Sequence, residues 1–271
     1  MKELMTRAIS GAIYVVLLLA SLFMKPALVI LLGVFGLICL IEFSKLIQLK
    51  AILQYFIFII LYVVFSLLAL LNEKIGTEII QIILVITIFV NLFLIKDLFT
   101  ERKIPLFESK KYIATTFYMT SGFIFMVMIA NYNSTYTPFL LLGGFILVWI
   151  NDSFAYLVGK NLGKQKLFPS ISPKKTVEGF LGGLFFACVS SYFISIYTST
   201  LNFTAWLILA IIVSVFGTFG DLIESKFKRQ AKVKDSGILM PGHGGLLDRL
   251  DSIIFASPFI YLFLRIVSYV S

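Results

Sequence analysis

Apolar windows of roughly 17–22 residues recur along the whole chain, each long enough to cross the hydrocarbon core of a bilayer. They fall at about 8–24, 26–43, 52–71, 77–95, 112–130, 138–158, 177–197, 204–222 and 252–270. Backbone amides in lipid need partners within their own segment, and windows of this length are too long for barrel strands. The expectation is an all-α, polytopic membrane helix bundle of nine transmembrane helices. Composition agrees: 59% of residues are apolar and 14% charged, where soluble domains carry about a quarter charged. The first window follows Lys2 and Arg7, as a secretory signal would. It is long, Lys25-Pro26 follows it, and no small-x-small cleavage pattern is present, so it reads as the first membrane helix. No soluble domain is expected at either end, and no internal repeat is visible. Cys39 and Cys188 fall inside spans, with no ligand at metal spacing, and read as small apolar residues.

Nine spans put the N-terminus on the same side as the connections after helices 2, 4, 6 and 8. That side collects 20 of the 23 Lys and Arg residues; the other holds Lys25 and Lys74, and Arg265 lies inside the last span. The positive-inside rule then gives an N-in, C-out protein. A bacterial cytoplasmic (inner) membrane is the expected location, with any active site facing the cytoplasm. Two parts follow. Residues 1–111 hold helices 1–4 and a cytoplasmic connection, and 112–271 hold helices 5–9 with the active site. Trp149 and Trp206, at the ends of helices 6 and 8, read as interfacial anchors. The net charge of +9 follows from topology and attraction to anionic lipid, so it identifies no substrate by itself.

The acidic residues are more telling. Glu42, Asp152, Glu178, Asp221, Glu224, Asp248 and Asp251 sit at or near the cytoplasmic ends of apolar helices. A carboxylate there is costly unless it meets a cation, a metal or water. In GTFGDLIESKFKR, residues Asp221, Glu224, Ser225 and Lys228 share one face if the helix continues past its apolar part. Asp248 and Asp251, three apart, open the last helix. Between them lie Asp235-Ser236-Gly237 and Gly242-His243-Gly244-Gly245, turns with little steric bulk. Glycines let backbone amides approach an anion, and a helix N-terminus adds partial positive charge. Asp221, Asp248 and Asp251, with Lys, Arg and the single His in the joining loop, suit a divalent metal held together with several phosphates. Oxygen ligands without Cys favour Mg²⁺ over zinc. The bland alternative is that Asp248 and Asp251 complement the helix dipole while Asp221 pairs with a nearby cation.

A second polar stretch, Asn151 to Phe180, lies on the same face. Ser172-Pro173 breaks the chain, Lys174 and Lys175 follow, Thr176 caps the next helix and Glu178 lies in its first turn. Two cytoplasmic lysines and a dipole-compensating Glu are the plain reading of this stretch.

The stretch from Ser225 to Asp251 resembles the signature of the phosphatidate cytidylyltransferases, the CDP-diacylglycerol synthases. The matching residues are Ser225, Phe227, Lys228, Arg229, Lys234, Asp235, Gly237, Pro241, His243, Gly244, Gly245, Asp248, Arg249 and Asp251. Met240 stands where that family usually has Leu, Ile or Phe, a change among apolar residues. The GD-x-x-ES of Gly220 to Ser225 and the D-x-x-A-Y…G…SPKKT-x-EG of Asp152 to Gly179 are similar to the family too. Together these cover roughly the C-terminal half; the N-terminal half matches in being multi-pass, with Arg7 before the first span.

The resemblance implies transfer of the cytidylyl group of CTP to phosphatidic acid, giving CDP-diacylglycerol and pyrophosphate. It implies a requirement for Mg²⁺, with room for a second cation. On that reading Asp221, Asp248 and Asp251 hold metal. Lys226, Lys228, Arg229 and Arg249 clamp the triphosphate or the lipid phosphate, and Lys174 and Lys175 act from the other side. His243 contacts phosphate or orients a ligand, and phosphatidate, already ionised, needs no strong base. Ser225, Lys234, Asp235, Gly244, Gly245, Asp152 and Glu178 complete the expected substrate site. The implied partners are CTP, phosphatidic acid and the bilayer, with a homodimer as the protein assembly and no nucleic acid. A CTP-dependent lipid kinase of the dolichol kinase type is the nearest alternative, and the His-Gly-Gly…Asp-Arg-x-Asp signature argues against it. A CDP-alcohol phosphotransferase lacks support because its DG-x-x-AR motif is not found. A transporter would place ionisable groups near midplane on broken helices, whereas these carboxylates cluster at one face.

Overall fold

The structure, a computed structural model, describes residues 2–70, 77–100, 103–242 and 244–270. Its helices are α1 (Lys2–Ser21), α2 (Lys25–Leu46), α3 (Leu53–Leu70), α4 (Thr77–Leu98), α5 (Glu108–Ala114), α6 (Ser121–Ala130), α7 (Pro138–Leu162), α8 (Val177–Thr198), α9 (Phe203–Gln230) and α10 (Leu247–Val270). A π-helical turn, Thr115–Thr120, joins α5 to α6 into one span. Eight segments among the described residues are long and apolar enough to cross a membrane, and Ile9–Ser21 of α1 is a shorter apolar helix before them. The chain is an all-α, polytopic integral membrane protein.

Burial divides centre from periphery. Of the most apolar windows, 83% of Glu108–Ala130 and 72% of Leu247–Tyr269 is buried, against 22% for α4 and 28% for α8. The π turn, α6 and α10 therefore form the core, and α4 and α8 present Phe, Ile and Leu outward. Small residues let neighbouring helices approach, as is usual where no water drives association. On α8 a Cβ at Gly179 would meet the Ala155 carbonyl oxygen and the Gly159 Cα of α7. On α9 a Cβ at Gly220 would fall 2.7 Å from the Asp251 carbonyl oxygen of α10. Pro258 inside α10 removes a donor to the Ile254 carbonyl. The Ser257 hydroxyl reaches that carbonyl at 3.1 Å and the Gly122 carbonyl of α6 at 2.8 Å.

Several helices run beyond their apolar windows. α9 continues to Gln230, and α10 begins at Leu247 rather than 252. Hydropathy marks the lipid, whereas the helix continues wherever its amides are satisfied. The chain break expected at Ser172-Pro173 is instead part of a hairpin: β1 (Lys166–Phe168) pairs antiparallel with β2 (Ser172–Thr176). Trp206, expected at an interface, is fully buried and fills the space left by Gly143 of α7.

Candidate active site

The polar residues meet where α9 ends and α10 begins. Helical spacing puts Asp221, Glu224, Ser225 and Lys228 on one face of α9, and the close approach at Gly220 brings that face against the first turns of α10. Ligand atoms of Asp221, Glu224 and Asp251 lie within 4.8 Å of one another. Glu224 and Asp251 are buried and Asp221 is half-buried. Glu224 Oε1 is enclosed with no hydrogen-bond partner. Three converging carboxylates with an unsatisfied oxygen are a poor resting arrangement for protein alone and a suitable donor set for a hard divalent cation.

Two lysines neutralise part of this charge. Lys175 Nζ of β2 lies 2.5 Å from Asp221 Oδ2, and the Ser225 hydroxyl donates to Asp221 Oδ1 at 3.2 Å. Burial pulls the Lys175 ammonium towards a lower pKa, but the Asp221 carboxylate outweighs this and the net shift is upward. Lys175 therefore stays charged at neutral pH. Lys228 pairs with Glu224 one turn back and with Asp248 Oδ1 at 2.6 Å. Asp248 stands apart from the carboxylate trio. Its Oδ2 accepts from the Ser236 amide at 2.9 Å, the Ser236 hydroxyl at 2.9 Å and the Gly245 amide at 2.7 Å. Gly244 has φ +91°, a region costly for any residue with a Cβ, and a Cβ there would also press on Asp248. Asp248 thus folds the loop back onto α10.

A family model for the cytidylyltransferase family matches residues 5–267. The chain belongs to that family. It is similar to the phosphatidate cytidylyltransferase of Bacillus subtilis (strain 168), 49% identical over 124 residues, 45% of this chain and 46% of that protein. The phosphatidate cytidylyltransferase of Staphylococcus aureus (strain COL) is 44% identical over 149 residues, 54% of this chain and 55% of that protein. That of Staphylococcus haemolyticus (strain JCSC1435) is 47% identical over 126 residues, 46% of this chain and 48% of that protein. The chain spans about half the length of the curated relatives it matches.

Other residues expected at the site of this cytidylyltransferase-family chain are distributed unevenly. Asp152 is within electrostatic reach of Asp221, Lys175 and Arg249. Arg249, Lys234, Asp235 and Lys174 are exposed near the same end. Arg229 is exposed and donates to the Val233 carbonyl at 3.1 Å. Lys226 points elsewhere: its Nζ donates to the Asp97 and Thr100 carbonyls at 2.5 and 2.7 Å, holding the end of α4. That is a helix C-terminus met by a cation. Thr176 caps α8 by accepting from the Gly179 amide at 3.1 Å, as its position suggested. Glu178 accepts from the Lys164 and Gln165 amides at 3.0 and 3.1 Å, closing the turn that leads into the hairpin. His243 lies outside the described residues. The carboxylate trio includes Glu224, which helical spacing puts on the face of Asp221 although it is not among the ligands expected from the sequence. Its signal was the three-residue spacing from Asp221.

Proposed function

We propose that this protein transfers the cytidylyl group of CTP to phosphatidic acid, releasing pyrophosphate and forming CDP-diacylglycerol at the cytoplasmic face of a bacterial inner membrane. The observation that carries the reading is the trio Asp221, Glu224 and Asp251 facing Lys175 and Lys228 at one end of a membrane bundle. Family membership and relatives that bear the name phosphatidate cytidylyltransferase support it. So does the assignment of 20 of the 23 Lys and Arg residues to the side that carries these groups.

Both reactants are anions, and their mutual repulsion must be offset while the phosphate oxygen of the lipid lines up with the α-phosphorus. Mg²⁺ is the cation this all-oxygen donor set suits best, held by Asp221, Glu224 and Asp251; when bound it supplies charge neutralisation and Lewis acidity at phosphate oxygens. Lys175, displaced from Asp221 by no more than a side-chain rotation, and Arg249, exposed at the start of α10, offer cations to the triphosphate or the lipid phosphate. Lys228 balances Glu224 and Asp248, and so holds α9, the loop and α10 in one arrangement. Gly245 serves the loop itself, because its amide already donates to Asp248 Oδ2. Phosphatidate is ionised at neutral pH, so no side chain needs to remove a proton from it. Phosphatidate-dependent release of pyrophosphate from CTP by purified, folded protein tests the reading. A lipid kinase would release CDP instead.

A further inference from the structure

Glu42 sits in the last turns of α2, directly after the apolar run Ile38-Cys39-Leu40-Ile41, and is only 5% exposed. A carboxylate so placed is costly unless its oxygens are met. They are met by the start of α10, more than 200 residues away in sequence. Oε1 accepts from the Leu246 amide at 3.2 Å, and Oε2 from the Leu247 amide at 2.8 Å and the Ser236 hydroxyl at 3.1 Å. The first amides of a helix have no partner within it and favour an anion. The residue before α10 is Leu246, which has no side-chain acceptor to serve as a cap. Glu42 supplies the missing acceptor from another helix.

The fit is close on all sides. A Cβ on Gly237 or on Gly245 would collide with the Glu42 carboxylate, so both turns are shaped around it. The Ser236 hydroxyl lies 3.1 Å from Glu42 Oε2 and 2.9 Å from Asp248 Oδ2. With one proton it donates to one carboxylate at a time, and so links Glu42 to the Asp248–Lys228–Glu224 chain. The next residue, Phe43, packs edge-on against Phe227 at 5.1 Å and against Tyr118 at 5.5 Å. This fixes α2 against α9 beside Lys228.

We propose that Glu42 is a positioning residue for the site. Its carboxylate sets the register of α10 and of the Ser236–Gly245 loop against α9, and thereby aims Asp251 at Asp221 and Glu224, and Asp248 at Lys228. The inference rests on the nucleotidyl-transfer reading above, since it assigns Glu42 no contact with substrate. Glu42→Gln keeps the shape but turns one acceptor into a donor facing amide donors. Glu42→Asp keeps the charge and shortens the reach.

The test compares wild type, Glu42→Gln and Glu42→Asp in detergent, each checked for folding by its melting temperature. In folded Glu42→Gln protein kcat falls roughly 10- to 100-fold, the usual effect of removing a supporting hydrogen-bond partner. KM for CTP stays within about threefold, because no substrate contact is lost. Glu42→Asp recovers part of the loss in kcat. Mn²⁺ titration followed by electron paramagnetic resonance, without substrate, gives affinity weakened about tenfold in Glu42→Gln. This second readout decides the inference even if wild-type protein transfers no cytidylyl group, a result that would sink the activity reading alone. Wild-type Mn²⁺ affinity and kcat in folded Glu42→Gln protein overturn the inference. So does loss of folded protein in both variants, which makes Glu42 a residue of the fold only.

Discussion

Lys175 Nζ lies 2.5 Å from Asp221 Oδ2, and this ion pair joins the hairpin between α7 and α8 to the end of α9. Neighbouring residues on a strand face opposite ways, so Lys174 is exposed while Lys175 is half-buried beside the acids. The two lysines of the pair are therefore not equivalent. Lys175→Gln should cut turnover by roughly 100-fold, as loss of a principal electrostatic group does. Lys174→Gln should cost less than about fivefold, in line with an exposed charge. Steady-state rates of the two variants check this; equal losses would deny the difference in orientation.

Glu224 and Asp248 are both buried partners of Lys228, yet their removal should read out differently. Glu224→Gln should abolish most Mn²⁺ binding, because Glu224 belongs to the converging trio. Asp248→Asn should chiefly destabilise the protein, by about 3 kcal/mol, since it breaks a buried charge network and leaves Lys228 poorly paired. Metal titration and thermal melting on the same two proteins separate the roles. Equal weakening of metal affinity would return Asp248 to the ligands.

Gly220 governs the distance between α9 and α10. Gly220→Val places a branched side chain against the Asp251 carbonyl and the Phe255 Cβ and should destabilise by about 1–3 kcal/mol, the range for overpacking. It should also spread Asp221 from Asp251 and weaken Mn²⁺ binding. Melting and metal titration measure both effects.

The architecture was legible because lipid leaves a chain so little choice. Long apolar windows mean helices, and the bundle follows. The hairpin was not legible: residues 164–176 mix Lys, Ser and Pro without a period, and the segment is held from outside by Glu178 and by the Val177 amide bonding to the Gln165 carbonyl. Within the site, the family resemblance implies one phosphate-clamping role for both Lys226 and Lys228, although helical spacing already puts Lys228 on the face of Asp221. They separate once α9 is known to run to Gln230, where a two-residue step turns Lys226 towards α4 and leaves Lys228 facing the acids. Glu42 stood in the sequence as a costly buried acid, but its partners lie at the far end of the chain and no local pattern announces them.

The charge distribution predicts the orientation in the membrane. A reporter fused after Ser271 should lie outside the cytoplasm and one inserted near Lys232 inside, given the 20 basic residues assigned to one side. Protease protection or reporter activity in cells decides it, and a cytoplasmic C-terminal reporter would mean a miscounted span.

CTP labelled at the α-phosphorus gives the most direct test of the central claim. With folded protein, phosphatidate and Mg²⁺, label should enter the lipid fraction, and pyrophosphate should appear in equal amount. The carboxylate trio and its lysines would then serve the departing pyrophosphate, the most highly charged species in the reaction. Label that stays in soluble CDP while phosphate reaches the lipid would identify a kinase. Label absent from lipid under these conditions contradicts the account.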